Sequence, residues 1–345
     1  MATVNSRRNP PTIFGSSAAV PGPDSSTSDP KLPFRELLPA LDYDLGATLD
    51  SGQTFRWRQA LDGWEGILGG HFVQLTQTAD GILAATRNPV ENWDWLRHFL
   101  QVETKLSDIL ATFPTDEPMI AAVTSCHGLR LLRQDPWECL ASFILSSTKQ
   151  IVQIRQIIEL LCERFGDAIP AAAGTRPMFG FPSPARIAAA SETDLRACKM
   201  GFRAPGLLAA AREIDSGAFD LEVLRRLDYH AARERLMTLH GVGGKIADCV
   251  LLFAYGFDSA FPQDVWVKRA LRELYFPKRR VTDQRLEKFS ATHFGPHAGY
   301  AQQYLFHYMR TKIKPKAKIT LQRIKADPFG PIKSGHTRAR HPGPR

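Results

Sequence analysis

The chain has 345 residues, 43% of them hydrophobic and 23% charged, with a formal net charge of +9 at pH 7. That length supports a large core divided into two or three subdomains, and the composition is that of a globular protein rather than a disordered or fibrous one. No apolar run is long enough to span a bilayer, and the N-terminus lacks the basic start, apolar core and cleavage site of a secretory signal, so an intracellular, non-secreted protein is expected.

Residues 1–30 are rich in Ser, Pro, Thr and Gly and are expected to form a disordered tail. A sheet domain is expected over 31–125. From Tyr43 to Thr86 the text reads as short strands, with Gln53–Arg58 alternating apolar and polar as a half-buried strand does. Turn signals stand at Asp62-Gly63, Gly69-Gly70 and Asp80-Gly81. From Trp93 onward the periodicity is helical, and a helical domain is expected over 126–325. Pro136 opens one helix. A second runs from about Gln150 to Phe165, with Ile151, Ile154, Ile158, Leu161 and Cys162 on one face and Gly166 as its C-cap. Further helices are expected over about Ala204–Asp215, Tyr229–Leu239, Lys245–Tyr255, Val265–Leu274 and Tyr300–Ile313. Residues 326–345 are expected to form a disordered basic tail. The fold class is therefore α+β: an N-terminal antiparallel β-sheet domain, then a two-part all-helical domain containing a helix–hairpin–helix.

Charge is unevenly placed. From Val265 to the end there are 19 Lys/Arg against 4 Asp/Glu, whereas the first 264 residues carry 25 against 31. The asymmetry suggests an anionic partner at that end, and the run Lys312 to Lys325 serves equally as DNA contact, import signal or solvated tail. The five cysteines are odd in number, widely spaced and free of Cys-x-x-Cys pairs or Cys/His clusters, which fits reduced thiols and implies no zinc or iron–sulfur centre.

The most informative segment is Leu239-His240-Gly241-Val242-Gly243-Gly244-Lys245-Ile246-Ala247-Asp248-Cys249, followed by Asp264 nineteen positions after Lys245. A Gly-Val-Gly turn lets backbone N–H groups approach a phosphate without a Cβ in the way, and the following helix adds its positive N-terminal dipole. Taken alone, Gly241 and Gly243 fit a plain αα turn about as well. Lys245 offers an amine that could attack a sugar carbon and form a Schiff base, and it also suits a simple phosphate counter-charge. Asp264 offers a carboxylate to stabilise positive charge on a sugar ring as a base leaves, and also suits an N-cap for the helix after it. A cap would hold the carboxylate in place, so these two roles are compatible.

Four segments, in order, resemble the 8-oxoguanine DNA glycosylases of the helix–hairpin–helix superfamily. They are Ser51–Arg58, Leu131–Pro136 through Phe143-Ile144, the hairpin segment with its Asp-Cys, and Tyr300-Ala301-Gln302 with Phe306, so the resemblance spans roughly Leu37 to Ile313. It implies a bifunctional glycosylase and abasic-site lyase that acts as a monomer on double-stranded DNA containing oxidised guanine, with no metal or organic cofactor. Lys245 is then the nucleophile and Asp264 the catalytic carboxylate. The damaged base is flipped out of the duplex, sandwiched by Cys249 and Phe306, read on its Watson–Crick edge by Gln302, and read at N7–H by the backbone carbonyl of Gly52. Phe202 and Arg203 match the family's wedge and one cytosine-reading arginine.

The chain departs from the family at two places. Thr148 stands where the family has an asparagine that fills the gap left by the flipped base, and Gln153 replaces a second cytosine-reading arginine, so discrimination of the opposite base is expected to be weaker. Trp266 and Met309 replace a histidine and an acidic residue near a phosphate, leaving Lys268 or the Trp266 indole to contact it. Two rival functions are a monofunctional alkylpurine glycosylase using Asp264 and water, and a non-catalytic DNA-binding protein using the hairpin as a phosphate clamp.

Overall fold

The computed structural model describes residues 32–147, 149–170 and 177–313; Thr148, both expected tails and the basic run from 314 onward lie outside them. The N-terminal part is a five-stranded antiparallel sheet, with β1 (Phe34–Pro39), helix α1 (Leu45–Asp50), then β2 (Trp57–Ala60), β3 (Gly63–Leu68), β4 (His71–Gln77) and β5 (Gly81–Thr86). The strand order is β1-β5-β4-β3-β2. Each of the three turn signals falls at a strand reversal. One face buries Leu38, Val73, Leu75, Ile82 and Ala84 against Leu96, Phe99 and Leu100 of α2 (Asp94–Leu100).

Two features differ from expectation. Strand β1 lies within the expected sheet domain but precedes Tyr43–Thr86, the stretch that reads as strands. Only Leu38 of its six residues is buried, and it is held by its ladder to β5, so local alternation carries no signal for it. The second difference concerns Gln53–Arg58, where only Trp57 and Arg58 are strand. Gln53 is fully buried and its amide serves as a junction. Nε2 donates to the Thr48 and Arg130 carbonyls at 2.9 and 2.8 Å, and Oε1 accepts from the Leu132 N–H at 2.8 Å. Phe55 leaves the sheet altogether and packs edge-on to Phe143, ring centroids 5.6 Å apart, in the helical core. This loop therefore joins the two cores.

The helical part comprises α3 (Leu106–Leu110), α4 (Glu117–Ser125), α5 (Pro136–Ser146), α6 (Ile151–Phe165), a short pair β6 (Ala168–Ile169) and β7 (Met178–Phe179), α7 (Pro184–Ala188), α8 (Glu192–Leu195), α9 (Ala204–Asp215), α10 (Tyr229–Met237), α11 (Gly244–Val250), α12 (Val265–Tyr275), α13 (Asp283–His293) and α14 (Ala298–Ile313). Leu106, Ile109, Met119 and Ala122, from α3 and α4, pack into this helical core rather than under the sheet. Aspartates start several helices: Asp116, Asp135, Asp228 and Asp264 each accept an N–H from the first turn. Gly166 does cap α6, but in an extended conformation, and a Cβ there would stand 2.1 Å from the Gly180 carbonyl oxygen. The glycine is needed for close approach of β7's neighbour, not for a left-handed turn. After α11 the chain widens into a π turn over Leu251–Tyr255, whose Leu252 and Phe253 carbonyls accept from Arg133 Nη1 at 2.9 Å and the Gln134 N–H at 2.8 Å. No helix among the described residues is long and apolar enough to cross a membrane.

Candidate active site

Helix α10, the turn Thr238–Gly243 and α11 form a helix–hairpin–helix. Gly241 lies at φ +83°, where an L side chain is strained, so it has the conformational reason for being glycine. Gly243 is extended, and the space a Cβ would occupy there is open. Gly244 is constrained instead by a neighbour: a Cβ would sit 2.1 Å from Arg233 Nη2. That guanidinium is fixed by Asp248, which accepts from Arg233 Nε at 2.7 Å and from the Tyr229 hydroxyl at 2.9 Å. Burial pushes the Asp248 carboxyl up, opposed by the bonds from Arg233 and Tyr229. This Tyr229–Arg233–Asp248 lock holds the two helices at the hairpin. It went unread because its three residues look like ordinary helix surface when taken singly.

Lys245 begins α11 and Cys249 follows one turn later on the same face. Lys245 Nζ donates to Ser146 Oγ at 3.2 Å, and Ser146 Oγ donates to the Phe143 carbonyl at 2.7 Å. The amine also lies 5.2 Å from the centre of the Phe143 ring. Ser146 and Phe143 end α5, so the amine is held between α11 and α5. Burial pushes the Cys249 thiol up to about 12, with Lys245 pulling the other way. Cys249 is thus a neutral, apolar wall at physiological pH.

Asp264 is the N-cap of α12, its Oδ1 accepting the Val267 N–H at 2.8 Å. Burial raises its carboxyl above the ordinary range, opposed by the Val267 N–H, Lys245, the Trp266 N–H and Arg310. The cap and the carboxylate role therefore coincide in one side chain.

Helix α14 presents Gln302, Phe306 and Arg310 at successive turns on one face. Gln302 is buried, and its Oε1 has no hydrogen-bond partner among the described residues. Gly52 faces this helix from the sheet domain. Its φ is +81°, and a Cβ would meet Ile151 Cδ1 at 2.9 Å and Phe306 Cε1 at 3.2 Å. The carbonyls flanking it are claimed: Arg310 Nη1 donates to the Asp50 oxygen at 3.2 Å, Gln303 Nε2 to the Ser51 oxygen at 2.9 Å and Gln134 Nε2 to the Gln53 oxygen at 2.7 Å. Gln53, Gln134 and Gln303 are supports that sequence reasoning missed. The first two lie within segments that carry the resemblance, which was the available signal. Gly52→Ala is expected to destabilise the protein by about 1–2 kcal/mol from the left-handed backbone alone, with the contacts to Ile151 and Phe306 adding to it. Urea unfolding measures this, and an unchanged midpoint would contradict the local geometry.

One cleft of about 450 Å³ brings together Gly52, Lys245, Cys249, Asp264, Gln302 and Phe306, with Phe143, Ser146, Trp266 and Arg310 completing its wall. That size suits a purine base. A separate cavity of about 130 Å³ between the sheet and α6 holds none of the predicted site residues.

Among the predicted DNA-contact residues, Gly241, Gly243, Phe202, Arg203 and Lys268 lie outside the cleft. Gly241 and Gly243 are exposed at the hairpin. Phe202 is 68% exposed, an uncovered aromatic ring of the kind a partner covers. Arg203 beside it is buried and donates to the Met200 carbonyl at 3.1 Å and to the Ser147 carbonyl, with its guanidinium 4.3 Å from the Phe202 ring centre. Lys268 is paired with Asp283 at 2.5 Å. Thr148 lies outside the described residues. Gln153 takes part in a capping box at the start of α6, its Oε1 accepting the Gln150 N–H at 3.2 Å. Met309 is buried in the core, whereas Trp266 lines the cleft.

Comparison with known proteins agrees with this architecture. Residues 37–140 match the family model described as 8-oxoguanine DNA glycosylase, N-terminal domain, and residues 141–295 match the HhH-GPD superfamily base excision DNA repair protein. A probable N-glycosylase/DNA lyase of Methanothermobacter thermautotrophicus is 30% identical over 79% of this chain and 95% of its own length. The N-glycosylase/DNA lyase of Arabidopsis thaliana is 30% identical over 77% of each chain. The 8-oxoguanine glycosylase/lyase of Clostridium acetobutylicum, solved with double-stranded DNA containing cytosine opposite 8-oxoguanine, is 29% identical with a TM-score of 0.74 over 80% of this chain and 98% of that one. Two family models meeting end to end across the sheet and helical parts, with relatives matched over most of their length, make the chain a member of the 8-oxoguanine DNA glycosylase family of the helix–hairpin–helix superfamily.

Proposed function

We propose that the protein is a DNA N-glycosylase and abasic-site lyase that excises 8-oxoguanine from duplex DNA through a Schiff base on Lys245. The observation that carries this reading is the cleft itself, where an amine, a carboxylate and the Gln302 side chain converge beside Gly52. Gln302 Oε1 has no donor among the described residues, and the Gly52 carbonyl is the second acceptor of the proposed reading. 8-Oxoguanine offers complementary donors, N1–H and the amino group on one edge and N7–H on the other. Guanine lacks the N7–H, so the Gly52 carbonyl would face a lone pair and leave two acceptors opposed. A buried acceptor without a partner costs about 1–3 kcal/mol, which is the scale of discrimination available at such a contact.

The flipped base stacks between Phe306 and the neutral thiol of Cys249. The Lys245 amine, held by Ser146, attacks C1′. Asp264 stabilises the positive charge that develops on the sugar. The C1′–O4′ bond then opens, O4′ taking a proton from solvent, to give a Schiff base that acidifies the C2′ proton; loss of that proton expels the 3′ phosphate by β-elimination. The Gly241–Gly243 hairpin grips a backbone phosphate, helped by the open space outside Gly243. Phe202 wedges the duplex, and Arg203 steadies the loop that leads to Thr148. Of the two donors for the phosphate beside Asp264, the Trp266 indole is favoured, since Lys268 is already paired with Asp283. The protein works as a monomer on DNA.

A single-turnover assay on duplexes carrying 8-oxoguanine, an alkylated purine or undamaged guanine tests this. Release of 8-oxoguanine alone, with strand nicking, is expected; release of the alkylated purine without nicking would support the monofunctional rival, and binding without release the non-catalytic one. The same assay with C, A, G or T opposite the lesion tests the departures at Thr148 and Gln153. Gln153 is spent on helix capping, and losing one base-reading arginine forfeits about 1–3 kcal/mol of discrimination. A shallow profile is expected, and a strict requirement for C would contradict it.

A further inference from the structure

The cleft contains a cation that the reaction described so far does not use. Arg310 stands one turn beyond Phe306 on α14, its guanidinium carbon 5.3 Å from the Phe306 ring centre. Its Nη1 is 3.4 Å from the position a Cβ on Gly52 would take. So the guanidinium borders both the stacking face and the N7-reading loop. It has no carboxylate partner within ion-pair distance among the described residues. The nearby Asp50 carboxylate is paired with Arg155 at 3.0 Å, and Arg310 takes only the Asp50 backbone carbonyl. Its other N–H groups make no hydrogen bond among the described residues. Burial lowers its pKa, opposed by the Asp50 and Asp264 carboxylates at longer range.

A half-buried guanidinium with no carboxylate in ion-pair contact, only the longer-range attraction of Asp50 and Asp264, is complementary to an anion that can reach it. The reaction generates one in this cleft. When the C1′–N9 bond breaks, its electron pair goes to the base, and the negative charge spreads over the ring nitrogens and carbonyl oxygens. The lone pair of the Lys245 amine forms the new C1′–N bond, and the surplus proton on that nitrogen passes to solvent. We propose that Arg310 is a further catalytic residue of this site, whose guanidinium donates to a carbonyl oxygen of the departing base and stabilises its negative charge. This rests on the proposed excision reaction. It divides the work in the cleft, with Asp264 meeting the positive sugar and Arg310 the negative base.

The test uses the full-length protein with Arg310→Leu and Arg310→Lys in three measurements: single-turnover excision of 8-oxoguanine, strand cleavage at a preformed abasic site, and affinity for duplexes carrying uncleavable 2′-fluoro 8-oxoguanosine or 2′-fluoro guanosine. Arg310→Leu is expected to slow excision about 100-fold, the scale of one lost charge-stabilising donor. Abasic-site cleavage, with no base to leave, is expected to fall less than about threefold, and the affinity ratio between the two fluoro duplexes to persist. Arg310→Lys should recover part of the excision rate. Unchanged excision overturns the proposal. So does a parallel fall in excision and abasic cleavage, which indicates a phosphate contact or a folding role, and so does a lost affinity ratio, which indicates that Arg310 merely positions Gly52. A wild-type protein that cleaves abasic DNA but releases no 8-oxoguanine refutes the excision reading and this inference together, whereas an active wild type with an equally active Arg310→Leu refutes the inference alone.

Discussion

Replacing Lys245 by glutamine is expected to slow single-turnover release of 8-oxoguanine by about 10³-fold or more and to abolish strand nicking. Glutamine keeps a polar, unbranched side chain at the start of α11 and can still donate to Ser146. It therefore preserves the packing between α11 and α5 while removing the nucleophile. The thermal midpoint is expected to stay within about 2 °C of wild type, because no buried volume or cap is lost. Unfolding curves and excision rates on the same preparations separate the two effects. A variant that still nicks the strand would show that another group performs the chemistry.

The second large effect is at Asp264. Its carboxylate caps α12 and also faces the cleft. Asparagine caps a helix about as well as aspartate and carries no buried charge, so Asp264→Asn should leave the protein at least as stable as wild type at neutral pH. The charge that offsets the developing positive sugar is lost, and excision should fall by about 10²–10³-fold, the scale of one removed electrostatic stabiliser. Asp264→Ala should lose both, with a further destabilisation of about 1 kcal/mol. The carboxyl also sets a pH dependence. Burial raises its pKa in the folded protein above the ordinary aspartate range. The ionised form thus costs stability at neutral pH, and that cost disappears as pH falls through the raised folded pKa. Activity moves the opposite way, because only the carboxylate stabilises the sugar. The acid limb of the excision rate should therefore lie above the ordinary aspartate range. A rate that stays constant down to the ordinary aspartate range would argue against a buried catalytic carboxylate.

Much of the site was legible because its residues recur at helical spacing. Lys245 and Cys249 are one turn apart, as are Gln302 and Phe306, so each pair had to share a face whatever the tertiary fold. The structure adds what spacing cannot contain: the two faces and Gly52 meet in one cleft. The starts of α5 and α12 were legible from Pro136 and Asp264, since caps are local chemistry. Strand β1 was not, because an edge strand with one buried residue owes its existence to a partner about fifty residues away. Gln53 was misread for a related reason. Alternation placed its segment in a strand, yet its amide is consumed by carbonyls from Thr48 and Arg130, contacts that no local pattern encodes. Arg310 and the Tyr229–Arg233–Asp248 lock were missed because charged residues on helices usually face solvent, and only the packed structure reveals which do not.

The account rests on a covalent bond between Lys245 and the sugar of the lesion. Borohydride reduction of the wild-type protein turning over on an 8-oxoguanine duplex, followed by peptide mapping of the cross-linked product, addresses that bond directly. The account predicts a stable protein–DNA adduct attached at Lys245 and none from Lys245→Gln. Excision that proceeds with no trappable adduct, or an adduct mapped to another residue, would contradict it.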